Sequence, residues 1–166
     1  MIMQLQRIVE YLEALPITVL SYDNVEADDT IGYICRQVLT ESKITIMSTD
    51  KDFLQLANGR IKIWSPTKKK MYDEDTVLEE FGISSHNFIW YRVIDGDKSD
   101  NISGVRGLGL KTIQKKLPFL SENRIVKYKF QKMFLEDKLY SALPNLDSWL
   151  LTNFNQLNIY AEKTHE

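Results

Sequence analysis

The sequence is poor in the residues that build disulfide frameworks and zinc sites. It has a single cysteine among 166 residues, Cys35, so no internal disulfide can form, and such usage is typical of a reducing compartment. Its two histidines, His86 and His165, stand apart from the acidic clusters described below, which argues against zinc. No stretch is long and apolar enough for a signal peptide or a membrane-spanning helix. We therefore expect a soluble, intracellular protein with no membrane partner.

The chain also lacks a large net charge, which is only −2, so composition alone gives no argument for a nucleic-acid partner. The local distribution is more informative. Residues 60–70 carry five basic residues and no acid, residues 106–116 carry four and no acid, and residues 1–30 carry one against six acids. Separated patches of opposite sign suit a protein that holds cations at one place and phosphates at another, although ordinary solvated faces show the same pattern. A hydrophobic content of 43% is enough for one domain with a core.

The hydrophobic pattern predicts an α/β domain that begins helix, strand, helix, strand. A helix ending near Ala14 precedes a β-branched strand, Ile17–Leu20, and a helix from Glu26 to about Ser42 precedes a second strand, Ile44–Met47. Strand–helix–strand order is typical of a parallel sheet. The pattern also predicts a helical turn at 52–56 and strands at 61–64 and 70–72. Further helices are predicted at 73–81, at 84–94 with Ser84 or Ser85 as the cap, directly after 101, at 111–117, at 124–143 and at 147–157.

Acidic residues cluster at three places along this pattern. Two of the groups follow a predicted strand, and ligand sites of parallel sheets lie beyond the carboxyl ends of the strands, so we expect both groups at one rim. Each group also has a structural interpretation, as a helix cap or a solvated loop, but the three together favour a metal site. The predicted ligands are Glu26, Asp28 and Asp29 after the first strand, Asp50 and Asp52 after the second, and Asp97 and Asp100 beside a glycine-rich turn.

The identity of the expected metal follows from the chemistry of gathered carboxylates. Such groups repel one another and take up protons unless cations neutralise them. Ligands that are all oxygen favour hard ions, so the expected cofactor is Mg²⁺ or Mn²⁺. Two such ions held by shared carboxylates can activate water and stabilise the leaving oxygen in phosphodiester hydrolysis.

The segment after the third acidic group combines glycines with a basic helix. Its spacing superficially matches a dinucleotide-binding fingerprint, but the strand that must precede such a fingerprint is missing. Between helices, glycines allow a tight turn and bring backbone N–H groups close to a phosphate. Such contacts bind the DNA backbone without recognising the base sequence. A plain helical hairpin with a solvated lysine face is the alternative. The predicted DNA-binding residues are Gly104, Arg106, Gly107, Gly109, Lys111, Thr112, Lys115 and Lys116.

Four ordered segments resemble the 5′-nuclease superfamily, which includes flap endonucleases, the 5′-nuclease domains of bacterial DNA polymerases and phage 5′→3′ exonucleases of the RNase H type. The segments are Val25–Asp29, Ser48–Asp52, Gly96–Asn101 and Gly104–Thr112. The resemblance implies a PIN-like, mostly parallel sheet flanked by helices, then a helix-three-turn-helix element and C-terminal helices. It divides the chain into a partial PIN-like nuclease core at 1–94 and the DNA-binding element with the C-terminal helices at 95–166, packed as one compact unit.

The same resemblance implies a role for each predicted residue. The glycine segment would bind the duplex backbone, with a K⁺ ion on its carbonyl groups. The implied substrates are 5′ ends, flaps, nicked or branched duplexes and RNA primers on DNA, in the cytoplasm of a bacterial or phage-infected cell. A first metal would be held by Glu26, Asp28, Asp29 and Asp50, and a second by Asp52, Asp97 and Asp100, with Asp28, Asp50, Asp52 and Asp97 as the catalytic acids.

One block of the family pattern has no counterpart in this sequence. Family members carry a strand with a metal-binding aspartate, and then a basic helical arch, ahead of the Glu26 segment. We therefore expect apolar surface where that strand would pack, and completion of the site by a second polypeptide. The leading hypothesis is a metal-dependent 5′-nuclease or part of one. The alternative is a non-catalytic branched-DNA-binding module or a subunit of a split nuclease; a PIN-type ribonuclease ranks third, because it leaves the glycine segment unexplained.

Overall fold

The fold is built on a small sheet whose strands follow from their residue pattern. The computed structural model describes residues 2–99, 101–122, 124–125 and 152–154. Within them β1 (Ile44–Met47) lies parallel to β2 (Ile61–Ser65), and β3 (Lys70–Tyr72) lies antiparallel to β2. The two isoleucines of β2 are buried and the lysine between them is exposed, as expected of a strand with one face on a core. The predicted α/β class and these three strands are confirmed.

Helices make up most of the remaining described chain. The helix predicted from Glu26 is first α-helical and then widens into a π-helix, Ile34–Val38, where it ends. Arg60 donates hydrogen bonds to the carbonyl oxygens of Cys35, at 2.7 Å, and of Leu39, and so satisfies backbone acceptors at this helix end. The α-helices are α1 (Ile2–Glu13), α2 (Ala27–Tyr33), α3 (Glu74–Phe81), α4 (Phe88–Asp95) and α5 (Leu110–Lys116), and 3₁₀-helices lie at Asp52–Leu56, Ser85–Asn87 and Pro118–Ser121.

The position of α4 in the core fixes the loop that follows it. Every residue from Phe88 to Ile94 is buried, as expected of a helix with apolar residues on nearly every side. Phe88 packs edge-on against Phe81 of α3, with ring centroids 5.0 Å apart. Asn153 donates hydrogen bonds to the carbonyl oxygens of Val93, at 3.2 Å, and Ser103, at 2.9 Å. The end of α4 and the loop after it are therefore tied together.

The strand predicted at Ile17–Leu20 is wrong. This segment pairs with no described strand, and its apolar side chains are exposed. A β-branched run forms a strand only where a neighbour satisfies its backbone hydrogen-bonding groups. Among the described residues the outer edge of β1 is also unpaired, and Met47 at its end is 72% exposed. The expected apolar surface is therefore present.

Two other predictions need correction. Residues after Asn101 form no helix before the glycine turn, because Asp97 and Ile102 exchange backbone hydrogen bonds of 2.9 and 2.7 Å that close a turn instead. No serine side chain caps α4, which follows a 3₁₀-helix directly. The helices predicted at 124–143 and 147–157 fall almost wholly outside the described residues, of which 152–154 are helical. No described helix is long and apolar enough to cross a membrane.

Asp73 begins α3 with a capping box, and its removal is expected to destabilise the protein. Its carboxylate accepts hydrogen bonds from the Thr76 hydroxyl, at 2.6 Å, and the Thr76 amide, at 3.1 Å, which lower the pKa of Asp73 to about 2. A lowered pKa means that this stabilisation is complete above the unfolded value of about 3.9 and is lost as pH falls toward 2.

We expect Asp73→Ala to lower the free energy of unfolding by about 1 kcal/mol at neutral pH. The measurement is thermal unfolding followed by circular dichroism for both proteins, repeated from neutral to strongly acidic pH. The difference in Tm should shrink below the pH at which unfolded aspartate protonates. A difference of constant size across that range would contradict this account.

Candidate metal and nucleic-acid site

Asp50 and Asp52 lie just past the end of β1 in a turn held by local hydrogen bonds. The Asp52 amide donates to the Asp50 carboxylate at 2.8 Å, and the Asp50 amide donates to the Ser48 hydroxyl at 3.1 Å. The turn leads into the 3₁₀-helix Asp52–Leu56, which buries Asp52 and leaves Asp50 exposed. The end of this strand therefore supplies one buried and one accessible carboxylate.

Asp97 lies just past the end of α4, in a turn that requires glycine. Gly96 has a φ of +73°, and a Cβ there would stand 2.4 Å from the amide nitrogen of Gly104. The Ser99 amide donates to Oδ1 of Asp97 at 2.8 Å, and the Ser99 hydroxyl donates to the same oxygen. The turn itself therefore sets the direction of the Asp97 carboxylate.

Arg92 joins Asp52 and Asp97, although it stands 40 residues from Asp52 in the sequence. Its Nε donates to Oδ1 of Asp52, its Nη2 donates to Oδ2 of Asp97, and its Nη1 donates to the Gly96 carbonyl oxygen at 3.2 Å. The Arg92 side chain is only 5% exposed, so a buried cation lies between two carboxylates. Sequence reasoning missed this residue. The available signal was a lone charge inside an apolar helix, because a buried charge needs a partner.

The two carboxylates bound by Arg92 differ in proton affinity. Burial raises the pKa of Asp52 to about 6; Arg92 opposes this effect, and the Asp50 and Asp97 charges add to it. Burial also opposes ionisation of Asp97, but hydrogen bonds from Ser99 and Arg92 outweigh it and lower the pKa of Asp97 to about 2. Above neutral pH both carboxylates are therefore ionised.

A second acidic group lies at the start of α2. One carboxylate oxygen from each of Glu26, Asp28 and Asp29 lies within 4.8 Å of the others. The positive end of a helix dipole favours negative charge at this position. Contacts between α2 and the 3₁₀-helix Asp52–Leu56 bring the two acidic regions onto neighbouring elements.

The predicted convergence of the seven acids on two metal ions stays a prediction, and the described residues gather one compact group, that of Glu26, Asp28 and Asp29. Asp50, Asp52 and Asp97 do not join the α2 group within 4.8 Å, and Asp100 lies outside the described residues. Asp50, Arg92 and Asp97 do share one open, polar cleft of about 590 Å³. Residues that line this cleft without having been assigned to the site are Thr49, Lys51, Asp95, Gly96, Lys98 and Ser99.

The three glycines of the predicted turn differ in what the fold requires of them. A Cβ on Gly104 would lie 2.0 Å from the carbonyl oxygen of Asp95, so this glycine permits close packing against the end of α4. Gly107 has a φ of +84°, and Gly109 is the N-cap of α5. A Cβ on either would meet no atom within 4 Å. These two glycines therefore leave open space in front of the backbone.

The helix α5 presents a basic face to solvent. Its other face is fixed, because Ile113 is buried and Gln114 donates to the Phe81 carbonyl oxygen at 2.7 Å. Thr112 is half-buried, and the exposed basic residues of this segment are Arg106, Lys111, Lys115 and Lys116.

The other basic segment, residues 60–70, is largely engaged within the fold. Lys68 and Lys70 both pair with Glu80, each at 2.8 Å, and Lys62 pairs with Asp73 at 3.3 Å. Residues 60–70 are therefore explained as a surface of ion pairs within the fold. The segment 106–116 is therefore the better candidate for a phosphate-binding surface.

Known proteins resemble this chain in sequence. A family model described as the 5′-3′ exonuclease, N-terminal resolvase-like domain, matches residues 1–82. The chain is 36% identical over 113 residues to a 5′-3′ exonuclease of Buchnera aphidicola, which covers 68% of this chain and 40% of that protein. It is 33% identical over 130 residues to the flap endonuclease Xni of Colwellia psychrerythraea, which covers 77% of this chain and 45% of that protein. The chain thus spans less than half the length of these relatives.

Solved structures share the fold. The T5 D15 protein co-crystallised with metal ions aligns with a TM-score of 0.67 at 21% identity, covering 93% of this chain and 57% of that one. T5 5′-exonuclease with bound zinc aligns with a TM-score of 0.66 at 22% identity over the same shares. The sequence relatives, the shared fold and the ordered acidic and glycine segments agree, and the chain belongs to the 5′-nuclease superfamily.

Proposed function

We propose that this chain is the metal- and DNA-binding part of a structure-specific 5′-nuclease, which hydrolyses phosphodiesters at 5′ ends, flaps or RNA primers. The observation that carries the proposal is the placement of Asp52 and Asp97 around one cation, the Arg92 guanidinium, beside a cleft that Arg92, Asp97 and Asp50 line. Two carboxylates gathered around one buried cation are oxygen donors of the type that a hard divalent ion also binds. The names of the relatives, 5′-3′ exonuclease and flap endonuclease, support the reaction class.

Two divalent ions are part of this proposal. Donor sets made of carboxylates fit Mg²⁺ or Mn²⁺ better than zinc. Bound at these carboxylates, such ions would supply an activated water and stabilisation of the leaving oxygen in phosphodiester hydrolysis. The K⁺ ion implied at the glycine turn stays a prediction. The proposed donors are Glu26, Asp28, Asp29 and Asp50 for one ion, and Asp52, Asp97 and Asp100 for the other.

The basic face of α5 and the turn before it hold the DNA duplex in this proposal. The exposed lysines of α5 contact phosphates as point charges, which gives affinity without base specificity. The open space at Gly107 and Gly109 allows backbone amides to approach a phosphate directly. These contacts place the duplex, and the acidic residues act on the 5′ strand.

A second polypeptide completes the sheet in this proposal. Ile17, Val19 and Leu20 are each about half exposed, at 50%, 47% and 50%, and the outer edge of β1 has no pairing strand among the described residues. A strand added at such an edge satisfies its backbone groups and covers apolar surface. Co-expression with a polypeptide that carries the strand and arch of the family pattern tests this part. Co-purification with faster cleavage supports it, and the absence of association contradicts it.

Titration of Mg²⁺ or Mn²⁺ into the purified chain with a 5′-labelled flap duplex tests the function. We expect flap binding that weakens with salt, because phosphate contacts release counterions, and metal-dependent release of short 5′ products. A duplex of the same sequence without a flap is the control for structure specificity. Binding without cleavage at any metal concentration would favour the branched-DNA-binding module. The absence of binding would contradict both functions.

A further inference from the structure

We propose that Arg92 is a built-in counterion that positions Asp52 and Asp97 for the second divalent ion and is displaced when that ion binds. This inference rests on the proposed function, because it assigns a role to a residue beside the proposed metal ligands. Arg92 belongs to neither the acidic groups nor the basic DNA-binding face. It would therefore act on the metal site and not on the DNA.

The hydrogen bonds around Asp97 show why Arg92 and a metal ion compete. Oδ1 of Asp97 accepts from the Ser99 amide and hydroxyl, and Oδ2 accepts from Nη2 of Arg92. The oxygen of Asp97 that is not engaged by its own turn is thus the one that Arg92 holds. A divalent ion that binds this oxygen takes the place of the guanidinium there.

Burial makes this competition consequential. The side chains of Arg92, Asp52 and Asp97 are 5%, 9% and 17% exposed, so water does little to screen their charges. Without a cation between them the two carboxylates would repel, and Asp52 would be a buried charge without a partner. A divalent ion and a guanidinium on the same oxygens would repel each other. The site therefore accommodates one of the two cations at a time.

The cleft beside Arg92 offers space for the displaced guanidinium. Nη1 of Arg92 already donates to the Gly96 carbonyl oxygen at 3.2 Å, and Arg92 lines the open cleft with Asp50 and Asp95. Rotation of the guanidinium toward the cleft would move its charge to a wetter place while the helix α4 stays in the core. Arg92 is thus a positioning residue whose effect is exerted through Asp52 and Asp97.

The test compares Arg92→Met, Arg92→Lys and a control, Arg60→Met, in the full chain. Arg60 is a fair control because it donates to the backbone carbonyl oxygens of Cys35, Leu39 and Ser42, away from the proposed metal ligands. Without added metal we expect Arg92→Met to lower Tm by about 10 °C, since it leaves buried carboxylates unpaired. Saturating Mn²⁺ should close most of the Tm difference between Arg92→Met and the unchanged chain, both measured with the metal, and should leave the difference between Arg60→Met and the unchanged chain as it is.

Metal affinity gives a second readout, from free Mn²⁺ measured by electron paramagnetic resonance. We expect Arg92→Met to bind Mn²⁺ at least about tenfold more tightly than the unchanged chain, because a competing positive charge is gone. Arg92→Lys should lie between the two, and Arg60→Met should match the unchanged chain. An affinity that is equal or weaker in Arg92→Met would overturn the competition.

A third measurement covers the case in which Arg92→Met does not fold. In the unchanged chain labelled with ¹⁵N-arginine, the Nε–H resonance of Arg92 should shift on addition of Mg²⁺ and that of Arg60 should not. A resonance of Arg92 that does not change at saturating Mg²⁺ overturns the inference alone. A chain that binds no Mn²⁺ at any accessible concentration overturns both the inference and the proposed metal site.

Discussion

The Asp50→Asn protein is expected to bind branched DNA normally and to cleave it at least about 100-fold more slowly than the unchanged chain. Asp50 is the exposed carboxylate at the end of β1, and it lines the cleft that also contains Asp97 and Arg92. An amide is a poor ligand for a hard divalent ion and brings no negative charge. If Asp50 binds a divalent ion as proposed, this substitution acts on the reaction and leaves the basic face of α5 intact.

Asparagine is the right replacement because it removes the negative charge of Asp50 and keeps the hydrogen bond that holds the turn. The Asp50 carboxylate accepts a hydrogen bond from the Asp52 amide at 2.8 Å, and an asparagine carbonyl oxygen can accept the same bond. The turn into the 3₁₀-helix should therefore persist. Asp50→Ala would also remove the hydrogen-bond acceptor. Slower cleavage by that protein could then come either from a disturbed turn or from the loss of the carboxylate.

The measurement is single-turnover cleavage of a 5′-labelled flap duplex in Mn²⁺, with flap affinity measured separately in Ca²⁺. Asp75→Asn is the matched control, because Asp75 is an exposed acid in the first turn of α3 and no metal role is assigned to it. We expect the control to cleave at the rate of the unchanged chain. Equal cleavage by Asp50→Asn would remove Asp50 from the metal site, and unchanged Mn²⁺ stoichiometry would lead to the same conclusion.

The elements that could be predicted from the sequence are those with purely local signals. β2 shows its strand character in the alternation of buried isoleucines with an exposed lysine. The helix α3 is bounded by the Asp73 capping box and by Gly82, which has a φ of +60° at the C-cap. Neither signal depends on a distant partner, so one sequence is sufficient to find both.

Elements that depend on distant partners could not be predicted in the same way. Ile17–Leu20 has the composition of a strand, but a strand also needs a neighbour to satisfy its backbone, and none is present among the described residues. The bond from Arg92 to Asp52 joins positions that are 40 residues apart. The sequence positions of Asp52 and Asp97 predicted that the two carboxylates share a cation. That this cation is Arg92 in the structure depends on how the distant elements pack, which one sequence does not show.

The Gly104→Ala protein is expected to lose most of its stability. A Cβ at this position would lie 2.0 Å from the carbonyl oxygen of Asp95 and 2.8 Å from that of Ile94, and both are backbone atoms that cannot rotate away. The amide of Val105 donates to the Ile94 carbonyl oxygen at 2.7 Å, so any shift of the loop also breaks this bond. We expect the free energy of unfolding to fall by more than about 4 kcal/mol, which is a large part of the stability of a typical domain.

Gly109→Ala is the matched control for this effect. Gly109 has a φ of −76°, and a Cβ there would meet no atom within 4 Å, so the expected loss is within about 0.5 kcal/mol. Gly107→Ala stands between the two, because its φ of +84° strains alanine by about 1 to 2 kcal/mol without a clash. Urea unfolding followed by circular dichroism ranks the three proteins. Gly104→Ala with the stability of the unchanged chain would refute the close backbone contact.

The Gly104 and Gly109 variants distinguish the contribution of the glycine segment to folding from its contribution to DNA binding. If the open backbone at Gly109 approaches a phosphate, then Gly109→Ala should weaken flap binding by about fivefold while the protein remains folded. Gly104→Ala should weaken binding only to the extent that the protein unfolds, because its Cβ would point into the end of α4 and not toward the duplex. Equal affinity in Gly109→Ala would leave α5 bound to DNA through its lysines alone. The glycines would then serve the turn, and the phosphate contacts would come from the exposed face of the helix.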